Sequence, residues 1–393
     1  MWPAEEPCDK VSALAREIEE ITGLKQRRAI ACGVLDRAGL KRFLEERIRD
    51  EVKPKEIRAE ELVLKKFGFA PPDFDLKKVT LELLTEQAAA FYDFHRRKLF
   101  MVDSGPASLE EATLLHEIAH AVADQHFSLA RFIDGAAEDD EASLARAAVV
   151  EGQATWLMAE FMARRMGRTL KDAPELLEMM RKGTGGSGGQ FPVFDSAPLY
   201  LRESLLFPYS EGIAFQHAVF EKLGKAAFSE VFRRPPRNTQ EILHPKLYFE
   251  SRTPVVPSLP EPPSRRRYRV LIEGTIGEFD HTVLLRQYTS LEQARSLGPS
   301  WTGGLYKLYE HKRDGHTVLA YSSCWESETA AGEFFAAHGA IQKGKWRALR
   351  VEEEAPSRRA GAGDDGLFRV ELSGKCLAGL EGLPRAGNSA AID

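Results

Sequence analysis

The sequence predicts an α+β protein in two parts. A mostly helical domain with a small edge sheet covers residues 1–252, and a smaller α+β domain covers 267–384. Three observations predict this. Apolar residues recur at three- and four-residue spacing through much of the first part, as in amphipathic helices. The stretch "TPVVPSLPEPPS" (253–264) holds five prolines in twelve positions, a stiff extended linker that we bound at 253–266. Beyond it the pattern changes to short strand-like runs, and a chain of 393 residues suits two domains better than one.

In order along the chain, "KVSALAREIEEITGL" and "RAGLKRFLEERIRDEV" make residues 9–66 a helical segment. "FGFAPPDFD" interrupts it with two prolines, and a short helix is predicted over 76–86. The apolar runs Ala88–Phe94 and Leu99–Val102 flank the charged "HRRK" as a strand pair, which turns at Ser104-Gly105-Pro106. Ser108 with Glu111 three residues later reads as a capping box opening a helix over 109–126. A second long helix follows over 139–166, and "GTGGSGGQ" (183–190) is flexible by composition. Helices are predicted at 197–206, 210–223 and 225–232, with a short capped turn ending at His244-Pro245. After the linker, "RYRVLIEG", "GLYKLYEH", "HTVLAYSSC", "WRALRVEEE" and "GLFRVELSG" read as strands, and "SLEQARSL" and "SETAAGEFFAAHGAI" as helices. Residues 355–366 read as a loose loop and 385–393 as a disordered tail.

Composition excludes several functions. Apolar and charged fractions of 43% and 29% are those of a globular chain, and a net charge of −5 gives no basic footprint for nucleic acid. No run approaches the length of about 20 apolar residues that spans a bilayer. The acidic "MWPAEEPCDK" lacks a signal-peptide core, so the chain as written is not addressed for export; compartment and oligomeric state stay open. Cys8, Cys32, Cys324 and Cys376 form no C-x-x-C pair, which argues against a cysteine zinc site and leaves their pairing open.

The chemistry lies in "LLHEIAHAVADQ" (114–125). Positions four apart share a helix face, so His116 and His120 can point two imidazoles at one metal ion. Glu117 projects beside them, placed to act as general base toward a water that the metal activates. A catalytic zinc needs a third ligand. Glu151, in the apolar "AAVVEGQATWLM", is the candidate, because a carboxylate there is costly to bury without a partner. Small Gly152 and Ala154 let its helix approach the first closely. Glu138, Asp139, Asp140 and Glu141 are rivals by residue type, but their charge run suits a solvated helix start. Asp124 and Thr155, each one turn past a ligand, are candidates to orient His120 and Glu151. Tyr209 in "PYSEG" and His244 in "LHP" are candidate donors to an oxyanion. His126 and His217 read as helix-face residues, and Trp301 and Trp325 as core.

His116-Glu117-x-x-His120 with Glu151 downstream resembles the gluzincin branch of zinc metallopeptidases, and "HEIAHAVAD" is similar to the thermolysin-type helix. The fuller resemblance, over "FYDFHRRKLFMVD", "HEIAHAVADQHF", "VVEGQAT", "FPYSEGIAFQHAVFEKLG", "TQEILHPKLY", "GTIGEF" and "WTGGLYKLY", is to an uncharacterised group of bacterial HExxH proteins. It implies a zincin-like first domain with His116, His120 and Glu151 as ligands of Zn²⁺ and Glu117 as base. It also implies that the strand near 88–103 borders a cleft for an extended peptide. Thr155 departs from the Asp that many gluzincins carry one turn after the third ligand, and the spacing from His120 to Glu151 is longer than in thermolysin-like enzymes.

Three functions fit these residues. The first is a zinc peptidase acting on a peptide or protein substrate, with 183–190 moving over its cleft. The second is a catalytically silent binding protein braced by a structural zinc, against which the intact Glu117 argues. The third is a zinc hydrolase of another amide or ester. The second domain shows no metal-ligand cluster, phosphate loop or basic patch, and reads as an interaction or substrate-presenting module.

Overall fold

The computed structural model describes residues 6–51, 53–87, 89–102, 107–137, 139–183 and 191–385. The predicted turn at 104–106, most of the Gly-rich 183–190 segment, Glu138, the side chain of Ser108 and nearly all of the tail lie outside them.

After α1 (Glu6–Asp9), α2 (Val11–Thr22) buries Val11, Leu14, Ile18 and Ile21 along one stripe. It stops at Gly23, whose φ of 79° lets the backbone turn and its N–H bond to the Glu19 carbonyl. The segment expected to be wholly helical then forms β1 (Ala31–Leu35) before α3 (Arg37–Glu51), α4 (Pro54–Phe67) and α5 (Leu76–Gln87). The predicted strand pair is β2 (Ala90–Asp93) and β3 (Lys98–Val102). Among the described residues these three strands form one sheet in the order β1-β3-β2. β1 is parallel to β3, with Ala31 opposite Lys98, and β2 is antiparallel to it.

Next come α6 (Ala107–Phe127), α7 (Leu129–Asp134) and α8 (Asp140–Arg165). Asp139 caps α8 by accepting from the Ala142 N–H at 3.1 Å. Acidic residues occupy the first turn of α8 and Arg164 and Arg165 its last, complementing the helix dipole. After α9 (Pro174–Gly183) and α10 (Pro192–Ser196), the two helices expected on either side of Pro208 are one, α11 (Leu199–Leu223). Proline costs about 3 kcal/mol inside a helix, but Phe207 and Pro208 are buried and α11 packs against α8 along its length. Tertiary contact overrides the breaker. The helical part ends with α12 (Ala227–Arg233), α13 (Thr239–Leu243) and α14 (Pro245–Glu250).

Beyond the proline-rich stretch run β4 (Tyr268–Thr275), α15 (Glu278–Tyr288), α16 (Leu291–Leu297), β5 (Trp301–His311), β6 (Thr317–Trp325) and α17 (Glu328–Lys345). The antiparallel run β7 (Arg350–Ala355), β8 (Arg358–Gly363), β9 (Gly366–Ser373) and β10 (Cys376–Leu383) follows. Among the described residues they form a seven-stranded sheet in the order β4-β5-β6-β10-β9-β8-β7. The predicted loop at 355–366 is corrected: β8 lies there, between β7 and β9.

The architecture is therefore α+β, a helical region with a small sheet followed by an antiparallel-sheet region. One apolar cluster joins α2, the small sheet, α6 and α8 through Ile18, Leu99, Leu115, Ile118, Trp156 and Leu157. A larger one joins the two regions: Val149, Phe207 and Phe215 share it with Phe279, Trp301, Trp325 and Phe368. Trp301 and Trp325 are core residues, as predicted. All four cysteines pair. Cys8–Cys32 ties α1 to β1, and Cys324–Cys376 joins β6 to β10 where the two residues face each other in register.

Candidate metal centre

Helix α6 is apolar on most sides: Leu114, Leu115, Ile118, Ala121 and Val122 are all at most 1% exposed. It is therefore held between α2, the small sheet and α8 rather than lying on the surface. His116 and His120 face α8, where Glu151 meets them. His116 Nε2 lies 3.1 Å from Glu151 Oε2, His120 Nε2 lies 3.3 Å from the same oxygen, and the two Nε2 atoms are 3.0 Å apart. The rings stand nearly perpendicular, at 84°. Three corners of a tetrahedron around an ion with bonds of about 2.05 Å lie roughly 3.3 Å apart. The spacing fits a metal ion, and this buried His-His-Glu group could hold one. The Glu151 side chain is 24% exposed against 10% and 8% for the histidines, so the group opens to solvent on the Glu151 side.

Electrostatics support the same grouping. Burial works against the Glu151 charge, yet His120 and His116 hold its carboxyl below the usual range. Burial likewise disfavours a charged His120, but the Glu151 and Glu117 carboxylates raise it overall. Glu117 is 7% exposed. Burial raises its carboxyl, opposed by the two histidines and by the main-chain N–H of Tyr92 on β2.

Tyr209 also belongs here, although it lies within α11 and not at a helix start. Its ring stacks on His116 at 6.1 Å between centroids, and its hydroxyl interacts with the Glu151 carboxylate. That negative charge, with burial, raises the phenol well above its usual value, so it keeps its proton. Gly152 makes this possible by facing α11, not α6 as its size led us to expect. A Cβ on Gly152 would lie 2.2 Å from the Gly212 backbone, and one on Gly212 would lie 2.3 Å from the Ala148 carbonyl oxygen. The two helices thus touch main chain to main chain, which only glycine permits.

The remaining candidates lie otherwise. Asp124 does not bond to His120. Its Oδ2 accepts from the Tyr92 hydroxyl at 3.0 Å and its Oδ1 from the Leu129 N–H at 2.9 Å, fastening β2 and α7 to the end of α6. Thr155 is buried with its hydroxyl unpaired, so it does not bond to Glu151. His244 pairs with Glu278 at 2.8 Å and not with the histidine cluster. His217 accepts from the Trp156 indole at 3.2 Å, and His126 Nε2 donates to the Lys25 carbonyl at 2.8 Å. The rival acids are not a solvated helix start throughout. Glu141 is 3% exposed and accepts from both the N–H and the hydroxyl of Thr239.

Sequence reasoning missed Tyr92, whose contribution through its main chain carries no side-chain signal. It also missed a second cluster. His311, Asp314 and His316 come together at the β5–β6 turn, in a region read as free of metal-ligand groups. The pattern H-x-x-D-x-H across a strand-turn-strand was the available signal.

Fold and site together define an α+β protein with a buried His-His-Glu group able to bind metal. Residues 266–392 match a family described as "Domain of unknown function (DUF8575)", which covers the antiparallel-sheet region. No curated protein and no solved structure matches the chain. No helix among the described residues is long and apolar enough to cross a membrane.

Proposed function

We propose that the protein is a zinc-dependent metallopeptidase. The observation that carries the reading is the convergence of His116, His120 and Glu151 with an intact Glu117 buried beside them. Two imidazoles and one carboxylate suit zinc and leave a coordination position for substrate or water. Zinc, when bound, polarises a carbonyl and makes water acidic enough to be deprotonated near neutral pH.

The chain supplies the rest. Glu117 takes the proton from the attacking water and delivers it to the departing amine. Burial raises its carboxyl, which suits a base that must hold that proton between the two steps. The main chain of Tyr92 on β2 favours the charged carboxylate against burial. Among the described residues β2 is an edge strand, and an extended peptide can add beside it. Tyr209 stacks on His116 and lies beside the Glu151 charge, which helps to position the group. The paired cysteines fit an oxidising compartment.

The test is metal analysis of the full chain beside peptide-library digestion. His116→Ala should lower zinc content by about one ion per chain. Glu117→Gln should keep that zinc and lose hydrolysis by about a hundredfold or more. A chain whose zinc content is indifferent to His116 overturns the proposal.

A further inference from the structure

We propose that the tip of the β5–β6 hairpin is a second metal site, which takes a divalent transition ion such as Zn²⁺ through His311, Asp314 and His316. The site lies wholly within the region of unknown function matched at 266–392 and is independent of the peptidase reading. His311 Nδ1 and His316 Nδ1 lie 2.8 and 2.7 Å from the same Asp314 oxygen, and the three ligand atoms all lie within 4.8 Å of one another. Two imidazoles and a carboxylate are a borderline donor set suited to zinc, copper or nickel rather than to calcium or magnesium.

The backbone fixes this geometry. His311 and His316 are cross-strand neighbours, the His311 N–H donating to the His316 carbonyl at 2.8 Å. The turn closes through Gly315, whose N–H donates to the His311 carbonyl at 3.0 Å and whose φ of 73° is costly for any residue with a Cβ. The imidazoles stack at 4.8 Å and 24°, bringing both Nδ1 atoms to one side. Behind them Tyr268 on β4 sits edge-on to both rings, and its hydroxyl lies 2.9 Å from His316 Nε2. That is the outer contact a metal-ligating histidine makes through its second nitrogen. The Lys312 ammonium is tied to the Arg266 carbonyl at 2.8 Å. The His316 N–H also donates to Asp314 Oδ1 at 3.2 Å, and side-chain exposures of 14%, 61% and 30% for His311, Asp314 and His316 leave the group accessible from solvent.

The alternative is a purely hydrogen-bonded turn with the same contacts and no ion. Zinc titration of the full chain against a chelator of known affinity separates the two. Wild type should bind about one more ion per chain than Asp314→Ala or His316→Ala, while hydrolysis and circular dichroism stay unchanged. Tyr268→Phe should weaken the same ion by about tenfold or more. Asp314→Ala is the variant least able to disturb folding, its side chain being mostly exposed. Wild type and both ligand variants titrating identically would overturn the site, whatever the His116 cluster does.

Discussion

At the scale of residues, Tyr209 decides how the centre is held. Its ring stacks on His116, and the nearby Glu151 charge with burial keeps the phenol protonated at any ordinary pH. Tyr209→Phe should therefore weaken zinc binding about 10- to 100-fold, as loss of an outer contact does. The chelator concentration that strips the metal measures this, and a slower but fully zinc-loaded variant would instead make Tyr209 an oxyanion donor. The His-His-Glu group itself was legible. His116 and His120 declare themselves by spacing, and Glu151 by being a carboxylate among apolar neighbours. One-turn spacing put Asp124 and Thr155 on a face without saying which neighbour claims each. Here β2 and α7 claim Asp124. His311 and His316 escaped notice because their proximity follows from a hairpin register, not from helical periodicity.

At the scale of elements, the α8–α11 contact carries the site. Glycine to alanine inside a helix ordinarily stabilises by about 1 kcal/mol. At Gly212 the sign should reverse, because the new Cβ meets the Ala148 carbonyl oxygen at 2.3 Å and the Gly152 Cα at 2.9 Å. Forcing the helices apart should cost about 1–3 kcal/mol and draw Tyr209 away from Glu151. A urea titration reads the first effect and zinc affinity the second; a variant more stable than wild type would refute the close contact. Elements were legible where periodicity was long, as in α6 and α8, and where alternation was clear, as in β5 and β6. β1 and β8 were lost because "ACGVL" and "RRAGAG" are short and built largely of small residues, and their pairing partners decide their conformation. α11 was split because proline is read locally, while its burial against α8 is not local.

At the scale of the molecule, the two regions are joined by a buried acidic junction whose charge state should tune stability. Glu141 from α8 and Asp280 from α15 meet at the backbone of Gly277, where a Cβ would lie 1.8 Å from the Glu141 carboxyl carbon. Burial pushes Asp280 up to about 6, although it accepts from the Gly277 N–H at 2.8 Å and the Tyr200 hydroxyl at 3.0 Å. Burial and the neighbouring Asp280 push Glu141 well above its usual range. Both shifts are upward, so between about pH 4 and pH 6 the folded state holds more protons than the unfolded chain. The contribution is complete below the unfolded pKa and fades as pH rises through the folded one. For Asp280 alone it amounts to at most about 3 kcal/mol. Asp280→Asn imitates the protonated acid and removes the titration. Its stability relative to wild type should climb between about pH 4 and pH 7, read as a growing difference in urea midpoint. Parallel curves across that window would mean that Asp280 titrates alike in the folded and unfolded chain.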